Sequence, residues 1–132
     1  MKEIISGLWT GNANDLLINK NSIHHSIDCN FNDSYLSIDL QQQQFIDKHD
    51  EIVSKIHSSL NQLQTVLLYN SNSNYLENHY LIIIAFFVKY TNIKINNLLI
   101  LIKKKIKKPL FKNYNQSVYQ KIITELVNYY RR

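Results

Sequence analysis

Thiol chemistry is nearly absent from this chain: Cys29 is its one cysteine in 132 residues. A single thiol excludes an intrachain disulfide framework and any multi-cysteine zinc site. It fits a reducing, intracellular setting. With two glycines and one proline, no flexible or stiff linker can be drawn, and no internal repeat is present. Long apolar runs are missing too. The most apolar stretch, Tyr80 to Val88, and the shorter Leu98 to Ile102 fall far below the roughly 20 residues of a membrane span. Both are expected to be buried helices, and no membrane contact is expected. The opening MKEIISGLW lacks the apolar core of a secretory signal. Acidic residues are outnumbered, ten against 15 basic ones, for a formal net charge of +5.

What is present suits one globular domain over residues 1–132: 45% of the residues are apolar, which is enough for a core of this length. Asn, Ile, Lys, Tyr and Gln are heavily used, a usage typical of AT-rich coding sequence, such as that of a large DNA virus or a protist. Ile4, Ile5, Leu8 and Trp9 surround Ser6-Gly7 as a short strand or turn. Gly11 is the expected positive-φ position. Asn14 or Asp15 is the expected start of a short helix over Leu16, Leu17 and Ile18. Ile23 to Asp28 reads as a strand, Cys29 to Ser34 as a polar turn, and Tyr35 to Leu40 as a further strand by its alternation. Phe45, Ile46, His49, Ile52, Val53, Ile56 and Leu60 make one apolar stripe on a helix from about Gln43 to Gln62.

Thr65 to Tyr69 is a continuous β-prone run, as expected of a central strand buried on both faces. The polar segment Asn70 to Glu77 follows, then an apolar helix over Asn78 to Tyr90. A strand feeding a loop at a helix N-terminus is a common anion-binding arrangement. Yet between Tyr69 and Tyr80 there is no Cys, Arg, Lys, Gly or Thr. Thr91 to Asn96 connects to a helix capped by Asn96 or Asn97, with Leu98, Leu99, Leu101, Ile102 and Ile106 as its buried side and Pro109 at its end. A last helix spans about Asn115 to Tyr130, with Val118, Tyr119, Ile122, Ile123, Leu126 and Tyr130 on one side. The fold class is α/β or α+β, with helices over a small sheet.

In this order and spacing the chain resembles a dual-specificity protein phosphatase of the cysteine-dependent class. Ile5 to Ala13 looks like that family's opening "I-x-x-x-L-Y-L-G-N-x" strand and turn. Ile23 to Cys29 and Tyr35 to Leu40 are similar to its "I-T-H-V-I-N" and "Y-x-x-I-P-V-x-D" strands. Phe45 to Leu60 matches the long helix before the active site, and Thr65 to Leu68 the "V-L-V-H-C" strand. Ile84 to Tyr90 resembles "I-A-Y-L-M-x-x", and Lys103 to Pro109 the basic, proline-ended "V-K-x-x-R-P" segment. The resemblance implies an α/β fold whose small central sheet of about four to five strands is mostly parallel and flanked by helices.

The departure lies at the chemistry. The family's signature is H-C-x5-R-[ST]: a thiolate attacks phosphorus, the loop N–H groups and the arginine hold the phosphoryl oxygens, and an upstream Asp protonates the leaving group. Anchored on the strand, Tyr69, Asn70 and Leu76 stand at the His, Cys and Arg positions. Anchored on the Ala85 helix, Asn72 and Asn78 replace Cys and Arg. Neither frame supplies a nucleophile or a bidentate fork. The vestigial phosphate loop is therefore Asn70, Ser71, Asn72, Ser73, Asn74, Tyr75 and Leu76, and Asp39 falls in the general-acid region with nothing to assist. Cys29 has Tyr35, not Arg, six residues on, and is expected to be a structural thiol far in sequence from the loop.

The resemblance thus implies a pseudophosphatase, an inactive domain that binds a protein partner such as a phosphoprotein, or a structural part of a virion if the source is viral. The alternative is a nucleic-acid-binding domain using the basic patch Lys103, Lys104, Lys105, Lys107 and Lys108, with Lys112 beyond it. Cations at a helix C-terminus are also favourable in themselves. His24 and His25 are adjacent and point apart on a strand. His49 and His57 are too far apart on one helix to share an ion. No metal site, Ser-His-Asp pattern or cofactor is expected. Tyr114, Tyr119, Tyr129 and Tyr130 beside Arg131 and Arg132 read either as packing residues or as a partner-binding or homodimer face.

Overall fold

A computed structural model describes residues 1–29, 41–69, 78–107 and 116–131, with the side chains of 41–48, 78 and 116–118 set aside. The expected turn Cys29 to Ser34 beyond its first residue, the strand Tyr35 to Leu40 and the segment Asn70 to Glu77 lie outside the described residues. So do Lys108, Pro109, Lys112, Tyr114 and Arg132.

The chain opens with an antiparallel hairpin, β1 (Lys2–Ile5) and β2 (Leu8–Gly11). Its tight turn uses Gly7 at φ +91°, a conformation side chains rarely adopt. The positive-φ glycine is thus Gly7, not Gly11. Gly11 lies in strand β2, and its small size matters for another reason: an added Cβ would sit 2.5 Å from the Asp15 carboxylate. The first helix, α1 (Ala13–Asn19), starts earlier than expected. Its cap is Asn12, whose side chain accepts the Asp15 N–H at 3.0 Å while Asp15 accepts the Asn12 N–H at 2.9 Å. This is a reciprocal capping box, with Asp15 as its third residue rather than the cap.

Strand β3 (His25–Asp28) begins two residues later than the alternation suggested. The N–H groups of His24 and His25 both reach the carbonyl of Thr65 at 3.0 Å, so the chain is tied in before the ladder starts. Strand β4 (Val66–Tyr69) is the centre of the sheet. It pairs in parallel with β2 on one side and β3 on the other, as its continuous apolar character demanded. Val66, Leu67 and Leu68 are 1%, 0% and 0% exposed. Among the described residues the sheet has four strands in the order β1-β2-β4-β3. It is mixed, because β1 runs antiparallel to its neighbour. The class is α/β, with five helices among the described residues.

Side chains alternate across a strand, so Leu8, Thr10, Val66, Leu68 and Ile27 share one face of the sheet. That face carries the core, together with Val53 and Ile56 of α2 (Gln41–Asn61), the side chains from Tyr80 to Val88 of α3 (Asn78–Tyr90), and the buried residues of α4 (Ile95–Ile106) and α5 (Gln116–Tyr130). Helices α2, α3 and α5 pack on one another, and α4 lies against β1 and α3. Helix α3 is enclosed on every side from His79 to Val88, which explains why it lacks a polar stripe. The opposite face bears Trp9, Leu67, Tyr69, Ser26 and Asp28. Leu67 is fully buried there, while α1 buries no residue of its own and leaves Leu17 and Ile18 71% and 78% exposed.

Helix α4 corrects the expected start. It starts at Ile95 after Lys94, with no side-chain cap, rather than at a capping Asn96 or Asn97. It ends at Ile106, where Lys107 turns left-handed and its N–H reaches the Lys103 carbonyl at 2.9 Å. The end is made by this αL turn. Of the expected buried side, Leu98, Ile102 and Ile106 are buried while Leu99 and Leu101 are half-buried.

One polar network ties α2, α3 and α5 together. Lys89 Nζ lies 2.9 Å from both Asp50 Oδ1 and Ser54 Oγ, and the Tyr130 hydroxyl donates to the same Asp50 oxygen. Arg131 closes the end of α3, its guanidinium donating to the carbonyls of Val88 and Thr91 at 3.2 and 3.1 Å. Of the described members of the C-terminal Tyr/Arg group, Tyr119 is buried, Tyr130 and Arg131 are bonded, and Tyr129 is 38% exposed.

Candidate functional site at the carboxyl edge of the sheet

Parallel pairing of β4 with both neighbours brings three strand ends to one edge. Gly11, Tyr69 and Asp28 stand in register there. Ligands of open α/β sheets bind at this edge, outside the carboxyl ends of the strands. The capped start of α1 follows Gly11, Cys29 follows Asp28, and the segment expected as the vestigial phosphate loop follows Tyr69. Residues Asn70, Ser71, Asn72, Ser73, Asn74, Tyr75 and Leu76 lie outside the described residues, as does Asp39.

Cys29, expected as a structural thiol at a strand end, directly follows β3 and is buried. It is 40 positions from Tyr69 in the chain, yet its N–H donates to the Tyr69 carbonyl at 2.7 Å, extending the β3–β4 ladder by one step. The chain's only thiol therefore stands at the start of the expected loop. It is fully buried, and Sγ lies 3.8 Å from the Ile27 carbonyl. Burial, and then the neighbouring Asp28 charge, push the thiol far above its usual range, against a smaller opposing effect of the Tyr69 backbone. Nucleophilic cysteines need the reverse, an exposed and electropositive setting that favours thiolate. Tyr69 is affected in the same sense: burial, then the charge of Asp28 and the nearby Cys29, raise its phenol.

The charges described at this edge are two carboxylates and the N-terminal ammonium of Met1, which lies 3.4 Å from Asp15 Oδ2. Asp15 is held in the capping box beside Gly11, and Asp28 is exposed next to Tyr69. The Met1 ammonium offsets Asp15, which leaves Asp28 as the carboxylate that repels a phosphate dianion. The described lysines of the expected basic patch, Lys103, Lys104, Lys105 and Lys107, are all exposed at the C-terminal end of α4. The first three are in the last turn of the helix, where the dipole favours cations. Ile100, on the same outward side as Lys103 and Lys104, is 57% exposed.

The histidines are each engaged locally. His24 Nδ1 accepts the Thr65 N–H at 2.9 Å, and His25 Nε2 lies 2.8 Å from the Gln64 side-chain oxygen. His57 stacks on Tyr90 with centroids 3.8 Å apart, while His49 and His79 are buried. Among the described residues no three His, Cys, Asp or Glu are grouped so as to hold a metal ion. No described helix is long and apolar enough to cross a membrane. No protein-family model matches the chain, and no curated protein matches it. The phosphatase resemblance therefore rests on the order and spacing of the segments quoted above.

Proposed function

We propose that this chain is a catalytically inactive domain of dual-specificity-phosphatase architecture that acts by binding another protein. The observation that carries the reading is the state of Cys29. The one thiol sits at the edge where such a fold places its nucleophile, yet it is buried in the core and held protonated. The sequence after Tyr69 supports it, with no Cys or Arg before Asn78. The element order supports it as well: a central strand flanked by parallel neighbours leads on to a buried helix. Leu17 and Ile18, exposed together on α1, favour protein contact over a role in folding alone. A vestigial phosphate pocket is disfavoured by the Asp28 carboxylate beside Tyr69.

Inorganic phosphate, titrated while the backbone amide resonances of Gly11, Cys29 and Tyr69 are followed by NMR, tests this. The expected result is no saturable shift beyond that produced by chloride at equal ionic strength. A saturable, phosphate-specific shift at these three amides would restore a phosphate pocket and make a phosphoprotein the partner. A second reading, nucleic-acid binding through Lys103 to Lys107, is favoured by their common exposure at one end of α4. It requires affinity that falls steeply with salt.

A further inference from the structure

The opposite, amino-terminal edge of the parallel strands holds a cavity of about 400 Å³. That volume lies within the range of small-molecule pockets. Its walls include Glu3, Trp9, Ile23, Leu60, Leu63 and Gln64. Glu3 carries the one charged side chain among its lining residues; the ammonium of Met1, which also lines it, is taken up by Asp15 at 3.4 Å. Glu3 and Trp9 are cross-strand partners in the first hairpin, so they rise from the same face of the sheet about 5 Å apart at Cβ. The Gly7 N–H holds one Glu3 carboxylate oxygen at 3.2 Å, and His25 fixes the Gln64 side chain at 2.8 Å.

Leu63 on the rim breaks two local rules at once. Helix α2 ends in a Schellman turn, with Gln64 N–H on the Ser59 carbonyl and Leu63 N–H on the Leu60 carbonyl, each at 3.0 Å. The left-handed position of that turn is normally glycine, yet here it is leucine at φ +59°. The same side chain is 92% exposed. Departures from local preference of this kind concentrate at functional sites.

We infer that this cavity binds a small organic ammonium ion. The Trp9 indole supplies cation–π attraction, Glu3 supplies the counter-charge, and Ile23, Leu60 and Leu63 take up the alkyl groups. An anionic ligand is repelled by Glu3, and a neutral apolar one leaves Glu3 unused. The site is separate from the carboxyl edge and stands whether or not that edge binds phosphate.

Trp9 is the only tryptophan in the chain, so its emission reports on this cavity directly. Choline chloride is titrated against the intact chain, with 3,3-dimethylbutanol as the neutral isostere and sodium chloride as the ionic-strength control. The amide resonances of Gly7 and Thr65 give a second readout. Choline is expected to change both saturably, and the alcohol to bind about tenfold more weakly or less. Glu3→Gln is expected to weaken choline by about the same factor while leaving the melting temperature unchanged. Leu63→Gly is expected to raise the melting temperature and weaken choline. Equal binding of choline and the alcohol, or no change at either Trp9 or the two amides, overturns the site. Unchanged choline affinity in Leu63→Gly removes Leu63 from it.

Discussion

Leu68→Ala is expected to lower the unfolding free energy by about 2–5 kcal/mol, enough to leave a domain of ordinary stability marginal or unfolded. Leu68 is 0% exposed on the central strand. It shares the core face with Leu8 and Ile27 on the flanking strands and packs into the same cluster as α3. Strands pair with β4 on both sides, and helices cover this face. The walls around the deleted atoms have little freedom to collapse, which places the cost high in the range. Denaturant unfolding followed by circular dichroism measures it, with Leu17→Ala as the control. Leu17 is 71% exposed on α1, and its truncation is expected to change stability by about 0.5 kcal/mol or less. Equal effects at the two positions would show that β4 is not the centre of the core.

Asp50→Ala is expected to cost about 2 kcal/mol, because it strips the shared acceptor from the Tyr130 hydroxyl and the Lys89 ammonium at once. The pair is half-buried, with side chains 37% and 25% exposed for Asp50 and Lys89. Solvent screening therefore keeps the cost below that of a buried charge pair. The pH dependence has a defined sign. Burial alone would raise the Asp50 carboxyl, but the hydrogen bonds from Tyr130 and Lys89 and the ammonium charge outweigh it, so its folded pKa is depressed. Its contribution is full above the ordinary carboxylate value of about 3.9 and is lost as pH falls through the lower folded value. Burial alone would lower Lys89, but Asp50 outweighs that and raises it. The Lys89 contribution is full below about 10.4 and lost as pH rises through the higher folded value. Asp50→Ala should therefore flatten the loss of stability at both the acid and alkaline ends. Parallel acid and alkaline limbs for the two proteins would remove this network from the stability of the fold.

Much of this fold was legible in the sequence, for reasons that differ by element. The α3 boundaries follow from an uninterrupted apolar run, and β4 from a continuous β-prone one, because burial on all sides leaves no polar interruption to misread. The α2 stripe persists over many turns, and His49 falls on it and is indeed buried. Errors gathered where single polar residues decide the outcome. Asn12, Asn14 and Asp15 are all competent caps, and the winner was set by which one lets Asp15 reach back to close the box. Asn96 and Asn97 lost to a start at Ile95 because packing of Leu98 and Ile102 fixes the helix without a side-chain cap. Gly11 was read as a turn residue, whereas Gly7 bends the chain and Gly11 makes room for a carboxylate. Lys107 and Leu63 adopt left-handed conformations that residue preference assigns to glycine.

The candidate site was legible in part. The strand that leads into it was placed correctly, and the missing arginine is a sequence fact. The nearness of Cys29 to Tyr69 was not legible, since it depends on β3 pairing with β4, and strand order cannot be counted from spacing. The cavity at Glu3 and Trp9 was hidden for the same reason. Its residues come from a hairpin, the end of α2 and the approach to β3, which no local motif connects.

Hydrolysis of an aryl phosphate by the intact chain, measured beside a folded Cys29→Ser variant, bears most directly on the claim that the domain is inactive. Both proteins are expected to release phosphate no faster than the buffer alone. Release by the unsubstituted chain that Cys29→Ser abolishes would contradict it, and would make the buried thiol a nucleophile after all.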